Sequence, residues 1–399
     1  MQAFGLFCRI NLHFYLLNSE KSSTFAAQKG RTMLYNLIIS LPMALCLFWL
    51  TFFLIRCFGA ESEPRVTRLL ACFFAAAGVL YTNHWLFFSG HPSTAGEWLY
   101  VVANLCVYPI YYAYLRALTR AKRSWEVPLL LAPALVSAVL FPIVRFGGGM
   151  SESVLFVFTR VCFAMQVVWV LVRGSRLLLQ TIRRMDDTYS DDRSRLLRPT
   201  YQLLIFFGIT SFVSIVLNVI GRDYFAHETV VIIPAVLMVV LLYGLGYVAA
   251  HTIIPQETVG VEVTGEGLSV TGEEKEFATT EETDELMFKI ANALRDQKLY
   301  ADPRLTIQDL ATAVHSNRTY ISNCINRRTG LSFSQYIARY RVENAQTILR
   351  DSQYKNDHDA IAAAIALSGF SSDKNFYRVF KDITGTTPLA WRKMQICTI

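Results

Sequence analysis

Charge is scarce in this chain. Only 17% of its 399 residues are Asp, Glu, Lys or Arg, and 53% are hydrophobic, whereas a soluble domain carries about 25% charged residues. The deficit lies almost wholly before residue 250, which excludes an ordinary soluble domain there. Metal and disulfide patterns are also lacking. The eight cysteines are scattered, form no Cys-x-x-Cys pair and mostly sit in apolar runs, so they read as small hydrophobes. The seven histidines form no His-x-x-x-His pair. P-loop, Gly-x-Ser-x-Gly and dinucleotide-binding glycine patterns are absent. No metal or cofactor is therefore expected. A membrane enzyme would need acids, histidines or a nucleophile gathered at one depth, and no such cluster is found, so the chain is read as a non-enzyme.

The apolar half is organised in long runs. A helix needs about 20 apolar residues to cross the hydrocarbon core, and seven stretches qualify: Leu34–Ile55, Leu69–Phe88, Trp98–Leu118, Val127–Val144, Val154–Val172, Tyr201–Ile220 and Thr229–Ala249. Pro128, Pro133 and Pro142 interrupt the fourth, which membrane helices tolerate better than soluble ones. Arg and Lys set the orientation. The first loop with its flanks carries Arg56, Arg65 and Arg68; the third carries Arg116, Arg120, Lys122 and Arg123; the fifth carries Arg173, Arg176, Arg183, Arg184, Arg193, Arg195 and Arg198. The even loops hold only Arg145 and Arg222. Odd loops are expected in the cytoplasm, the N-terminus outside, and everything after residue 250 in the cytoplasm. Arg9, Lys21, Lys29 and Arg31 argue the other way, either as a translocated tail or because Met33 is the real start.

Some polar groups lie inside the spans. Arg160 sits in the fifth, with Gln166 six residues on; Asn83 and His84 lie in the second and Asn104 in the third. A buried guanidinium is costly unless paired, so these five residues form a candidate ligand site. The alternative for Arg160 is a pair with Glu97 or Glu152, or snorkelling to the interface.

From 251 to 283 the composition changes. Five Pro and Gly residues break regular structure, and eight glutamates face one lysine, a net charge of −7. This reads as a flexible tether with a root-mean-square reach of roughly 30 Å. The expected organisation is a tail over 1–33, a transmembrane domain over 34–250, the acidic linker over 251–283 and a DNA-binding domain over 284–399.

The last region carries sixteen Lys/Arg against eleven Asp/Glu. Thr306 can cap a helix with Ile307, Leu310, Ala311 and Val314 inward. After a polar turn, a second helix buries Ile321, Cys324 and Ile325. The ten-residue spacing of Ala311 and Ile321 fits two closely crossing helices, as in a helix-turn-helix. Its outward face is Thr319, Ser322, Asn323 and Asn326, flanked by Arg318, Arg327 and Arg328. A longer helix over 333–350 follows, with Tyr336, Ile337, Tyr340, Ala345, Ile348 and Leu349 as its apolar stripe. A second unit then starts near Asp359 with Ile361, Ala364, Ile365 and Ser368. Its second helix sets Phe376, Val379, Phe380 and Ile383 inward and Lys374, Tyr377, Arg378 and Lys381 outward, and Gly385 and Pro388 stop it. A short helix with an apolar back and a cationic front suits the major groove.

These residues carry a resemblance. Leu310-Ala311, Tyr320-Ile321-Ser322, Gly330, Phe333, Tyr336, Arg341, Ala345 and Leu349, followed by Gly369-Phe370, Phe376-Tyr377-Arg378-Val379-Phe380-Lys381, Gly385-Thr386-Thr387-Pro388 and Trp391-Arg392, resemble the AraC/XylS family of bacterial transcription regulators. The likeness covers about the last hundred residues. It implies two recognition helices entering successive major grooves, with promoter DNA and RNA polymerase as partners. Ala364-Ile365, Ile325 and Trp391 depart from the family pattern, away from the groove-facing positions. A multispan domain joined to such a module is similar to membrane-anchored regulators of some Bacteroidetes.

The expectation is an all-α protein: a seven-helix transmembrane domain in a bacterial inner membrane, followed by a cytoplasmic double helix-turn-helix domain. The expected function is a one-component sensor that couples a small-molecule or protein signal to promoter binding, with a homodimer raising the local concentration of a second reader. Two alternatives stay open. The membrane part is a plain anchor or partner-protein interface, or it is a transporter or membrane enzyme with a DNA-binding tail.

Overall fold

The computed structural model describes residues 34–58, 64–91, 93–122, 124–147, 152–191, 193–220, 228–252, 280–351, 353–354 and 356–396. The tail, including the alternative start at Met33, and most of the acidic tether lie outside them. The described residues are all-α and fall into two compact units. One is drawn from Met1–Leu178 and Pro199–Val263, the other from Leu179–Arg198 and Thr264–Ile399.

The first unit contains seven helices long and apolar enough to cross a membrane: α1 Leu34–Cys57, α2 Pro64–Phe88, α3 Thr94–Leu118, α4 Glu126–Gly147, α5 Glu152–Thr188, α6 Arg198–Ile220 and α7 Glu228–His251. They coincide with the seven apolar runs. Large apolar side chains stay uncovered along them, among them Leu135, Val139 and Ile143 of α4 and Val157, Val161 and Val168 of α5. A water-facing surface of that composition is an aggregation liability. Inside the bundle, the tyrosines of α3 are core residues. Tyr108, Tyr111, Tyr112 and Tyr114 are all buried, with Tyr108 Oη 2.8 Å from Ser211 Oγ and stacked on Phe207.

One polar knot ties α3, α4 and α5. Glu126 accepts from Tyr112 Oη at 2.5 Å, from Arg116 Nη1 at 3.1 Å and from Arg173 Nη2 at 2.6 Å. Arg116 and Arg173, counted above as loop charges, thus close an ion-pair network on a carboxylate that is itself buried.

The fifth connection differs from the sequence reading. Arg173 to Arg184 looked like loop, but α5 runs on as one helix of 37 residues, about 55 Å at 1.5 Å per residue. Its last turns, from Leu179, belong to the second unit. Charged side chains end an apolar run without ending a helix, because Arg and Gln are good helix formers.

The second unit is the C-terminal domain. Helix α8, Thr280–Asp296, leads into a short 3-10 turn at Leu299–Ala301. Then come α9 Ile307–Ala313, α10 Arg318–Thr329, α11 Phe333–Arg350, α12 Asp357–Leu367, α13 Asp373–Thr384 and α14 Pro388–Ile396. Residues 284–304 carried no assignment from sequence. They supply Leu286, Ile290, Ala293 and Leu294 to the first core, beside Ile307, Leu310, Ala311, Ile321, Cys324 and Ile325. The second core gathers Ala360, Ala364, Phe370, Phe376, Val379, Phe380 and Trp391. Helix α11 serves both, with Phe333 and Ile337 in the first and Val342, Ala345 and Leu349 in the second.

Candidate nucleic-acid interface

Local chemistry starts and stops each helix of the two units. Thr306 and Asp309 close a capping box on α9, and Asn317 caps α10 by accepting from Tyr320 N at 2.8 Å. Asn356 and Ser372 cap α12 and α13. Helices α10 and α13 both end in a left-handed glycine, Gly330 and Gly385. The turns inside the units share a further feature: the second residue past each first helix is left-handed. In the second unit it is Gly369, with φ +76°, against which a Cβ would collide with the Tyr300 carbonyl oxygen. In the first unit it is His315, with φ +54°, a conformation costly for a residue with a Cβ.

Each turn leads into a second helix with an exposed face. On α10, Ile321, Cys324 and Ile325 are buried, and Arg318, Thr319, Asn323, Asn326 and Arg327 are exposed, with Ser322 half-buried. Arg328 turns back and pairs with Asp284 of α8. On α13, Phe376, Val379 and Phe380 are buried, while Lys374, Tyr377 and Lys381 are exposed. Arg378 is half-buried. It donates to Asp382 Oδ2 at 3.1 Å and to Asn375 Oδ1 at 2.7 Å. Ile383 departs from the expected inward face: it is 43% exposed and lines a cavity of about 310 Å³ with Asp382 and Arg339.

Two buried arginines tie separate segments of the domain together. Arg392 of α14, 4% exposed, donates to Asp357 Oδ1 at 3.0 Å, to Leu349 O at 2.5 Å and to Tyr354 O at 2.6 Å. Arg341, on the middle of α11, is 1% exposed. It donates to Tyr300 O at 2.8 Å, Asp302 O at 2.8 Å, Ser190 O at 3.1 Å and Ser190 Oγ at 2.9 Å. Burial pulls its pKa down to about 10, against the opposing pull of Asp191 and Asp302. It therefore remains charged at neutral pH. Periodicity could not flag this role, because an Arg on a helix is ordinarily a solvated residue.

Five polar residues stand inside the helices of the apolar bundle. Gln166 Nε2 donates to Leu130 O at 2.6 Å and Asn83 Nδ2 to Val79 O at 2.8 Å. His84 packs edge-on against Tyr100. Asn104 and Arg160 are half-buried. A nearby cavity of about 250 Å³ is lined by Glu97, Arg145 and Thr159, with none of the five. Among the described residues, no group of three or more His, Cys, Asp or Glu side chains could hold a metal ion.

Two turn-linked helix pairs joined by one shared helix define a double helix-turn-helix domain. Residues 310–394 match a family model described as a helix-turn-helix domain, and the C-terminal domain is of the AraC type. Over 91 residues the chain is 31% identical to the uncharacterised HTH-type transcriptional regulator YisR of Bacillus subtilis, covering 23% of this chain and 30% of that one. Over 94 residues it is 33% identical to the melibiose operon regulatory protein of Escherichia coli K12, covering 23% and 29%. Regulatory protein PocR of Salmonella typhimurium is 28% identical over 105 residues, covering 26% and 33%. The match thus spans about a third or less of each relative. No solved structure matches the chain.

Proposed function

We propose that this protein is a membrane-anchored, sequence-specific DNA-binding transcription regulator. The observation that carries it is the pair of exposed, cationic second helices, α10 and α13, each set on its own apolar core. Asn323 and Asn326 have the amide that pairs with adenine, and Arg318, Arg327 and Arg378 the guanidinium that pairs with guanine or phosphate. Lys374, Lys381, Thr319, Ser322 and Tyr377 complete the two faces. RNA polymerase is the expected protein partner. The relatives are named as regulators, which supports a non-enzymatic role.

The seven apolar helices anchor this reader in the inner membrane, and the arginine-rich odd loops favour a cytoplasmic C-terminal domain. A signal received by the membrane domain then reaches the promoter without a phosphorelay, through the position or pairing of the domains. Arg160, Gln166, Asn83, His84 and Asn104 are the proposed polar contacts for that signal.

Footprinting on duplexes selected by the purified chain tests the assignment. Replacing Arg378 by Ala is expected to lower specific affinity about tenfold or more, the scale of one good base contact. An unchanged footprint would remove α13 from the groove.

A further inference from the structure

The second unit includes a segment that is distant in sequence. Tyr189 forms an antiparallel bridge with Thr306, and Ser190 N donates to Leu305 O at 3.0 Å. Ser190 then takes two of the four bonds from the buried Arg341. One residue on, Asp191 Oδ1 accepts from Asn375 Nδ2 at 2.7 Å. Asn375 turns its own oxygen to Arg378. A chain of polar contacts therefore runs from Asp191 to the outward arginine of the second reader. The Arg193 guanidinium lies 4.6 Å from the Tyr189 ring centroid and stiffens the segment.

We propose that Tyr189–Asp191 is an intramolecular latch on the DNA-binding domain, which holds the second reader away from DNA until α5 and α6 withdraw it. The proposal rests on the DNA-binding reading above. Three features carry it. The Asp191 carboxylate stands by the first turn of α13, where the helix dipole and free amides favour an anion; a DNA phosphate approaching that end meets an anion already in place. The segment contributes no residue to either apolar core of the domain and is held there by polar contacts. Arg341 keeps Tyr300 O and Asp302 O when Ser190 leaves. Finally, the latch is covalently continuous with α5 on one side and α6 on the other, so any rotation or separation of those helices pulls on it directly.

The test uses the full chain in lipid nanodiscs and a random-sequence duplex pool enriched on the Asp191→Ala protein, with affinities compared at one salt concentration. Asp191→Ala is expected to tighten binding by about tenfold, the scale of one hydrogen bond to a charged group. Asp296→Ala, which removes a carboxylate elsewhere on the domain, is expected to leave it unchanged; an equal gain would mean net charge alone acts and would overturn the latch. The pair Tyr189→Cys with Thr306→Cys closes a disulfide across the bridge, where antiparallel partners stand about 5 Å apart at Cα. The oxidised form is expected to bind about tenfold more weakly than the same protein after reduction. Equal affinity of the two forms overturns the proposal, and the reduced form is its own folding control. If no form, Asp191→Ala included, retains duplex at low salt, the DNA-binding reading fails with it.

Discussion

The side chain that does most to hold the second unit together is Arg341. It is charged, almost fully buried and bonded to three backbone carbonyls and a serine hydroxyl. Replacing it with Leu removes the donor and leaves those carbonyls desolvated, at a cost of about 3 kcal/mol. Hydrogen exchange on the intact chain is expected to show lost protection in both α11 and the 299–305 segment; loss confined to α11 would contradict the bridging role. The two left-handed turn positions make a matched pair of tests. Gly369→Ala puts a Cβ against Tyr300 O at positive φ and is expected to destabilise the domain by about 2–3 kcal/mol. His315→Gly relieves the same backbone cost in the first helix-turn-helix and is expected to stabilise the domain by about 1 kcal/mol. Denaturant midpoints followed by tyrosine and tryptophan fluorescence read both; opposite signs are required.

Among the elements, the two readers differ in how exposed their outward residues are. The polar groups of α10 face outward on an exposed side, whereas Arg378 of α13 is engaged within its own helix by Asn375 and Asp382. Lys374 and Lys381 are exposed and suited to phosphate. Lys374→Ala is therefore expected to weaken binding evenly across sequences and to lower the salt slope by about one unit, with specificity kept. A change in preferred sequence would move Lys374 from backbone to base. The helices of the first unit are clamped by Glu126. Glu126→Gln leaves Arg116 and Arg173 without their carboxylate, a loss of about 3 kcal/mol for breaking a buried pair. The expected readout is a lower detergent melting temperature, rescued in part when Arg116 is replaced by Met in the same chain.

Across the whole molecule, the expectation concerns sides of the membrane. A reporter fused after Ile399 is expected to be active only as a cytoplasmic fusion, because the odd loops carry the arginines; activity of an exported reporter there would invert the topology. The seven long apolar helices were legible because apolar length is a local property that survives without knowledge of neighbours. The readers were legible for a similar reason: caps, period and glycine stops are written within about twenty residues. Three features depended on partners far away in the chain. Ile383 looked inward by period but opens on a cavity. Residues 173–188 looked like loop by charge but continue α5. Arg341 stood only among the residues of the family resemblance, and nothing in its local pattern marked it as the buried hub of the domain. Sequence by itself thus determined the class of each half and the apolar and cationic faces of its helices, since both follow from short-range periodicity. Only the tertiary structure decided which polar groups are spent on one another. A hydrogen bond between Ser190 and Arg341, 151 positions apart, leaves no periodic trace and exists only where the folded backbone brings the two together.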